Sequence, residues 1–133
     1  MKNNICIIFF LTAFCFSSYS QNKDVNPNTI KGKFAHIVFV WLIEPENPDV
    51  RNKFETSLDT LINESEYIQS FHLGTPANTS RPIIDTTYTY CLIVTFSSEE
   101  EQNKYQTEPA HLNFIKNCKH LWNKILIYDS LSD

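Results

Sequence analysis

Residues 34–43, "FAHIVFVWLI", decide the fold of this chain. They are mostly β-branched or aromatic, with no Gly, Pro or fixed charge, and read as a β-strand. Alternation places His36, Val38 and Val40 on one face and Ile37, Phe39 and Trp41 on the other. Apart from His36 both faces are apolar, so each needs a cover.

Working outward toward the C-terminus, "EPENPD" (44–49) is a turn in which Asn47 caps a helix and Pro48 takes its first position. Val50, Phe54, Leu58, Leu61 and Ile62 recur at helical spacing, which predicts an amphipathic helix to about Asn63. "YIQSFHL" (67–73) is a weaker strand near an edge, residues 74–86 form a long loop, and "TYTYCLIVTF" (87–96) is the second strong strand. Ser98 with Glu101 makes a capping box, and the acidic run Glu99–Glu101 suits the positive end of a helix. A solvated helix start accounts fully for that run, so it carries no function. This helix ends near Gln106, Pro109 opens another that runs to about Cys118, and "KILIYDS" (124–130) is a last short strand.

The order βαββααβ is that of an α+β, ferredoxin-like domain: a four-stranded antiparallel sheet with the helices on one face. The helices cover the His36 face of the first strand. No element of the chain is left for Ile37, Phe39 and Trp41. A second copy, packed sheet to sheet, is the simplest cover, and predicts a homodimer through the face opposite the helices.

Toward the N-terminus the text changes. Residues 1–20 carry Lys2, an apolar run from Ile5 to Phe16 and then small polar residues. That run falls short of the roughly 20 residues of a membrane span. Ser18 and Ser20 occupy the −3 and −1 positions of a cleavage before Gln21, the pattern of a secretory signal peptide. Cys15 follows Phe14 rather than a small residue, which disfavours a lipid anchor. The expectation is an exported protein, periplasmic or secreted, with no membrane attachment after cleavage. Residues 21–33 are an Asn-rich, flexible lead-in to a domain spanning 34–131.

Removing Lys2 from the 11 basic side chains, with all 15 acidic ones kept, leaves a net charge of about −5. An acidic domain without a basic stripe is a poor partner for nucleic acid or anionic headgroups. Gly32 and Gly74 are the only glycines, so no phosphate cradle exists. Cys91 and Cys118 fall on opposite sides of the sheet by the strand phase, which predicts no bridge between them. His72 and His120 lie on separate elements and no His or Cys pair has ligand spacing, so neither metal nor cofactor is implied.

"HIVFVWLI", "YTYCLIVTFSSEEEQNKYQTEPAHLNF" and "LWNKILIYDSL" together resemble the stress-responsive α/β-barrel (Dabb) domain, over about Phe34 to Leu131. The most specific part is the Tyr-to-Pro-x-His run in "KYQTEPAHLNF" (104–114). The resemblance implies sheets that pair into a dimeric α/β barrel, as the count of faces does. The best understood enzyme it resembles is the plant polyketide cyclase that makes olivetolic acid. There a His on the proline-started helix is the general base and a Tyr ending the preceding helix orients the substrate. By resemblance those roles fall on His111 and Tyr105, and His36 matches a further pocket histidine. Tyr90 and Glu108 stand where the cyclase has histidines, so the polar lining differs and its substrate is not implied.

The strand phase adds candidate ligand-binding residues: His36 and Val38, Tyr90 and Leu92, and Ile125 and Ile127, with Glu108 and Trp122 beside them. An apolar pocket with a few convergent polar groups suits a small apolar or carbonyl-bearing ligand. A histidine there can take a proton next to a carbonyl while a tyrosine hydroxyl steadies the oxyanion. Three readings stay open: a binding protein, a cyclase- or lyase-like enzyme, and a structural dimer in which Tyr105 and His111 only tie the broken helix to the sheet. The cyclase acts on a coenzyme A thioester, a compound of the cell interior, so an exported relative needs a different substrate.

Overall fold

In the computed structural model, which describes residues 29–132, the first strand β1 (Phe34–Leu42) lies inside a four-stranded antiparallel sheet. It is followed by α1 (Pro48–Glu64), β2 (Ser70–Gly74), β3 (Tyr90–Phe96), α2 (Glu99–Tyr105), α3 (Pro109–Cys118) and β4 (Trp122–Leu131). The strand order is β2-β3-β1-β4, so β1 pairs with β3 on one side and β4 on the other. This is the expected ferredoxin-like sheet with its helices on one face.

Burial along β1 alternates strictly between buried and half-buried residues. His36, Val38, Val40 and Leu42 face the helices, and Ile37, Phe39 and Trp41 face away. The register carries this phase across the sheet: Val38 lies opposite Leu92 and Ile127, and Phe39 opposite Cys91 and Leu126. The core fills the helix side. Phe54 of α1 stacks on Tyr90 with ring centroids 5.0 Å apart, and Phe96 meets Tyr105 at 4.9 Å. α1 and α3 pack against each other above the sheet.

Local chemistry sets the boundaries. Asn47 caps α1 by accepting the Asp49 N–H at 3.0 Å, with Pro48 at the first position. Ser98 accepts the Glu101 N–H at 3.2 Å at the start of α2. β3 begins at Tyr90 rather than Thr87; ahead of it the Thr89 N–H still donates to the Val40 carbonyl at 2.8 Å, and the threonine hydroxyls add bonds to β1. Thr87 accepts the Trp41 indole N–H at 3.1 Å and Thr89 accepts the Leu42 N–H at 3.0 Å. β2 runs from Ser70 to Gly74 instead of from Tyr67, and β4 is longer than its sequence suggests. A register shift between Trp41 and Leu42 brings Trp122 opposite Leu42 and extends that strand.

Gly32 turns the chain into β1 with φ +85°. A Cβ there would also lie 2.5 Å from the Phe96 carbonyl oxygen, so both dihedral and space demand glycine. Cys91, on the face away from the helices, and buried Cys118 are both free thiols. The signal peptide, the cleavage before Gln21 and most of the lead-in fall outside the described residues. No described helix is long and apolar enough to cross a membrane.

Candidate functional site

In one continuous helix, Tyr105 and His111 would be turned by about 240° from each other and could not share an inward face. Pro109 prevents that continuation, since it lacks an N–H and starts a new helix readily. The three residues between the helices close a tight turn, in which the N–H groups of Thr107 and Glu108 donate to the carbonyls of Lys104 and Tyr105 at 3.1 and 3.2 Å. As a result the Tyr105 and His111 rings lie 4.4 Å apart, tilted by 38°.

Both rings line a small cavity of about 60 Å³ between sheet and helices. Its polar wall is His36, Tyr105 and His111; Val38, Leu92, Trp122, Ile125 and Ile127 make much of the apolar wall. Of the residues expected at a ligand, these eight converge. Two do not. The Tyr90 ring is held flat on Phe54 and its hydroxyl donates to the Glu55 carboxylate, so it supports α1 instead of lining the cavity. Glu108 lines a separate cleft beside the α2–α3 turn, although its charge still reaches Tyr105 and His111.

Hydrogen bonding fixes the roles open to each group. The Gln106 carbonyl can only accept, so His111 Nδ1, 3.2 Å from it, carries the proton and Nε2 keeps a free lone pair. Burial lowers the His111 pKa below its ordinary value of 6.5, and the nearby His36 adds to this against the raising effects of Gln106 and Glu108. His111 is therefore neutral at pH 7 and able to act as a base. Tyr105 is 2 % exposed, and burial, with the Glu108 charge, pushes its hydroxyl pKa up. It stays protonated and acts as a donor. Among the described residues that hydroxyl has no hydrogen-bond partner, although it is carried by one of the most buried side chains.

Sequence reading missed one polar member and four apolar ones. Asp129 on β4 lies directly opposite His36 on β1, and its carboxylate accepts from His36 Nδ1 at 2.6 Å. Asp129 follows Ile125 and Ile127 at strand spacing, so its place on the same face was available from the sequence. Val40, Phe54, Phe114 and Ile115 also line the cavity.

His36, Tyr105 and His111 thus wall one cavity between the helices and the sheet of an α+β, ferredoxin-like fold. The stress responsive A/B barrel domain matches residues 34–132. The chain belongs to that family. Similar solved structures include an Arabidopsis thaliana protein with a TM-score of 0.64 and 23% identity, covering 75% of this chain and 95% of its own. The hydroxynitrile lyase from Passiflora edulis aligns with a TM-score of 0.64 and 18% identity, over 77% of this chain and 94% of that one. A dimeric protein of unknown function from Bacteroides fragilis aligns with a TM-score of 0.58 and 20% identity, over 77% of this chain and 99% of that one. No curated protein matches the chain.

Proposed function

We propose that this chain is an exported, homodimeric α/β-barrel protein that binds a small apolar or carbonyl-bearing ligand in the His111–Tyr105 cavity. One observation carries the reading. Among the described residues the Tyr105 hydroxyl, at the end of a buried ring, has no hydrogen-bond partner and His111 keeps Nε2 free, and both side chains belong to the wall of one cavity. A purely structural pair would have spent that hydrogen-bonding capacity inside the protein. The ligand's polar end has one donor and one acceptor to meet, which suits a carbonyl flanked by an acidic C–H or hydroxyl. The cavity of about 60 Å³ takes only a compact head group, with the rest of the ligand leading out past the exposed Ile127.

A second reading is turnover in the same cavity, by a cyclase- or lyase-like route. The neutral His111 favours it, and the hydroxynitrile lyase among the similar structures supports it. His111 Nε2 would accept the substrate proton while the Tyr105 hydroxyl donates to the carbonyl or alkoxide oxygen. His36, held through Nδ1 by Asp129, would orient the polar end. Dimeric proteins among the similar folds support pairing through the open sheet face. The composition of residues 1–20 supports export.

The test is mass spectrometry of small molecules retained by protein purified from its native host, with N-terminal sequencing of the same sample. A carbonyl-bearing ligand, absent from His111→Ala, and a chain starting at Gln21 are expected. A wild-type cavity that binds no such compound would overturn the ligand reading, and an intact Met1 would overturn export.

A further inference from the structure

The cleft beside the α2–α3 turn holds a group that does not line the His111 cavity. Glu108 is 8 % exposed, with Oε2 accepting the Glu66 N–H at 3.3 Å. Its Oε1 is buried and, among the described residues, has no hydrogen-bond partner. Although Glu108 stands at the N-cap position of α3, its side chain makes no capping hydrogen bond. A buried carboxylate oxygen without a donor is costly, and such an atom calls for a specific explanation. The cleft it lines, of about 440 Å³, also takes in Glu64, Glu66, Tyr67 and Lys104.

We propose that this cleft binds a short organic diamine, with one ammonium donating to Glu108 Oε1 and the other held at the rim by Glu64 and Glu66. Charge supports a cation. Three carboxylates line the cleft, and the Lys104 ammonium on its wall is engaged 2.7 Å from Glu100 at the surface. Glu64 is also the last residue of α1, whose final turn carries no basic side chain. The partial negative charge of that helix end is uncompensated and adds to the attraction.

Geometry then separates an organic cation from a metal ion. Among the described residues no three His, Cys, Asp or Glu side chains group closely enough to hold a metal. Instead the carboxylates stand at two depths, Glu108 buried and Glu64 and Glu66 exposed. Two separated ammonium groups match that spacing better than one compact charge. A volume of this size admits a small organic ligand.

The experiment titrates the wild-type protein with 1,4-diaminobutane by calorimetry and thermal shift, with butylamine and calcium chloride as controls at matched ionic strength. Saturable binding of the diamine is expected, tighter than butylamine and unaffected by calcium. Glu108→Gln should weaken it about tenfold or more, and Glu64→Gln, at an exposed position, by a few-fold. An unchanged affinity in Glu108→Gln would overturn the proposal, as would calcium displacing the amine. Should Glu108→Gln fail to fold, Glu64→Gln decides, and an unchanged affinity there sinks the idea. A wild type that binds no amine also overturns it; Lys104→Met losing as much stability as Glu108→Gln would then identify Lys104 as the true partner of Glu108.

Discussion

Tyr105 and His111 separate binding from stability more sharply than any other pair in the chain. The Tyr105 hydroxyl bonds no acceptor among the described residues, so Tyr105→Phe should leave the unfolding free energy within about 0.5 kcal/mol while weakening a carbonyl ligand roughly tenfold. His111→Ala removes the bond to Gln106 and the ring contact with Tyr105, and should cost about 1–2 kcal/mol as well as the ligand. Chemical denaturation and titration calorimetry on the two variants check this. A Tyr105→Phe protein that loses stability but keeps its affinity would return both residues to a structural role. Because the folded pKa of His111 lies below 6.5, its stabilising contribution is complete above that value and declines as the pH falls through the window beneath it. Ligand binding that needs a neutral His111 should fade over the same window, and a Tyr105→Phe protein should show the same pH profile. At this scale the sequence was legible where one residue's environment is set by its own strand phase, as for His36, Val38, Leu92, Ile125 and Ile127. Tyr90 shares that phase, yet its ring is long enough to reach α1 and bond Glu55, which alternation cannot anticipate.

Elements were legible wherever a turn or cap is written in the residues themselves. Pro109, Asn47 and Ser98 each start a helix at the position expected from their chemistry. Strand ends were harder, because they depend on which neighbour answers the backbone. Thr87 and Thr89 read as strand; Thr89 does bond the Val40 carbonyl, but their links to Trp41 and Leu42 run through side-chain hydroxyls. β4 gains its length through a register shift that passes over Asn123 between the pairs Trp41–Lys124 and Leu42–Trp122, and no residue within β4 announces that shift. The entry to β1 carries a sharper expectation. Gly32→Ala forces a side chain into the left-handed region and against the Phe96 carbonyl, and should cost about 2 kcal/mol or more. A urea midpoint equal to that of the wild type would mean that the lead-in rearranges without straining the sheet.

For the whole molecule, the open face of the sheet is the dominant unspent feature. Phe39 packs edge-on to Tyr88 at 5.0 Å and to Tyr128 at 6.5 Å, and the Lys124 ammonium lies 4.0 Å from the Trp41 ring centroid. These rings border a hollow of about 380 Å³ that faces away from the helices. Leu126 and Tyr128 remain 39% and 55% exposed there. Packing a second copy on this face would bury them. Trp41→Glu then places an unpaired charge in the contact, at a cost of several kcal/mol, and should turn a dimer into monomer or aggregate by light scattering. A wild type that is already monomeric at micromolar concentration would refute the pairing. The need for a cover was legible from β1 alone, since its two apolar faces outnumber the layers the chain can build. The open rim of residues 75–89 was not, because a loop with little periodicity gives no sign of where it lies.

β4 is the outermost strand beside β1, and joining two sheets face to face leaves that margin untouched. Every second amide of β4 points outward with no ladder partner, so deuterium should enter those positions quickly even in the assembled dimer. Lateral growth, with one copy's β4 zipped onto another's, would instead slow their exchange and open a route to fibres. The charged side chains of Lys124 and Asp129 on that strand work against such growth. Asp129 would thus serve twice, steadying His36 within the chain and discouraging runaway stacking between chains.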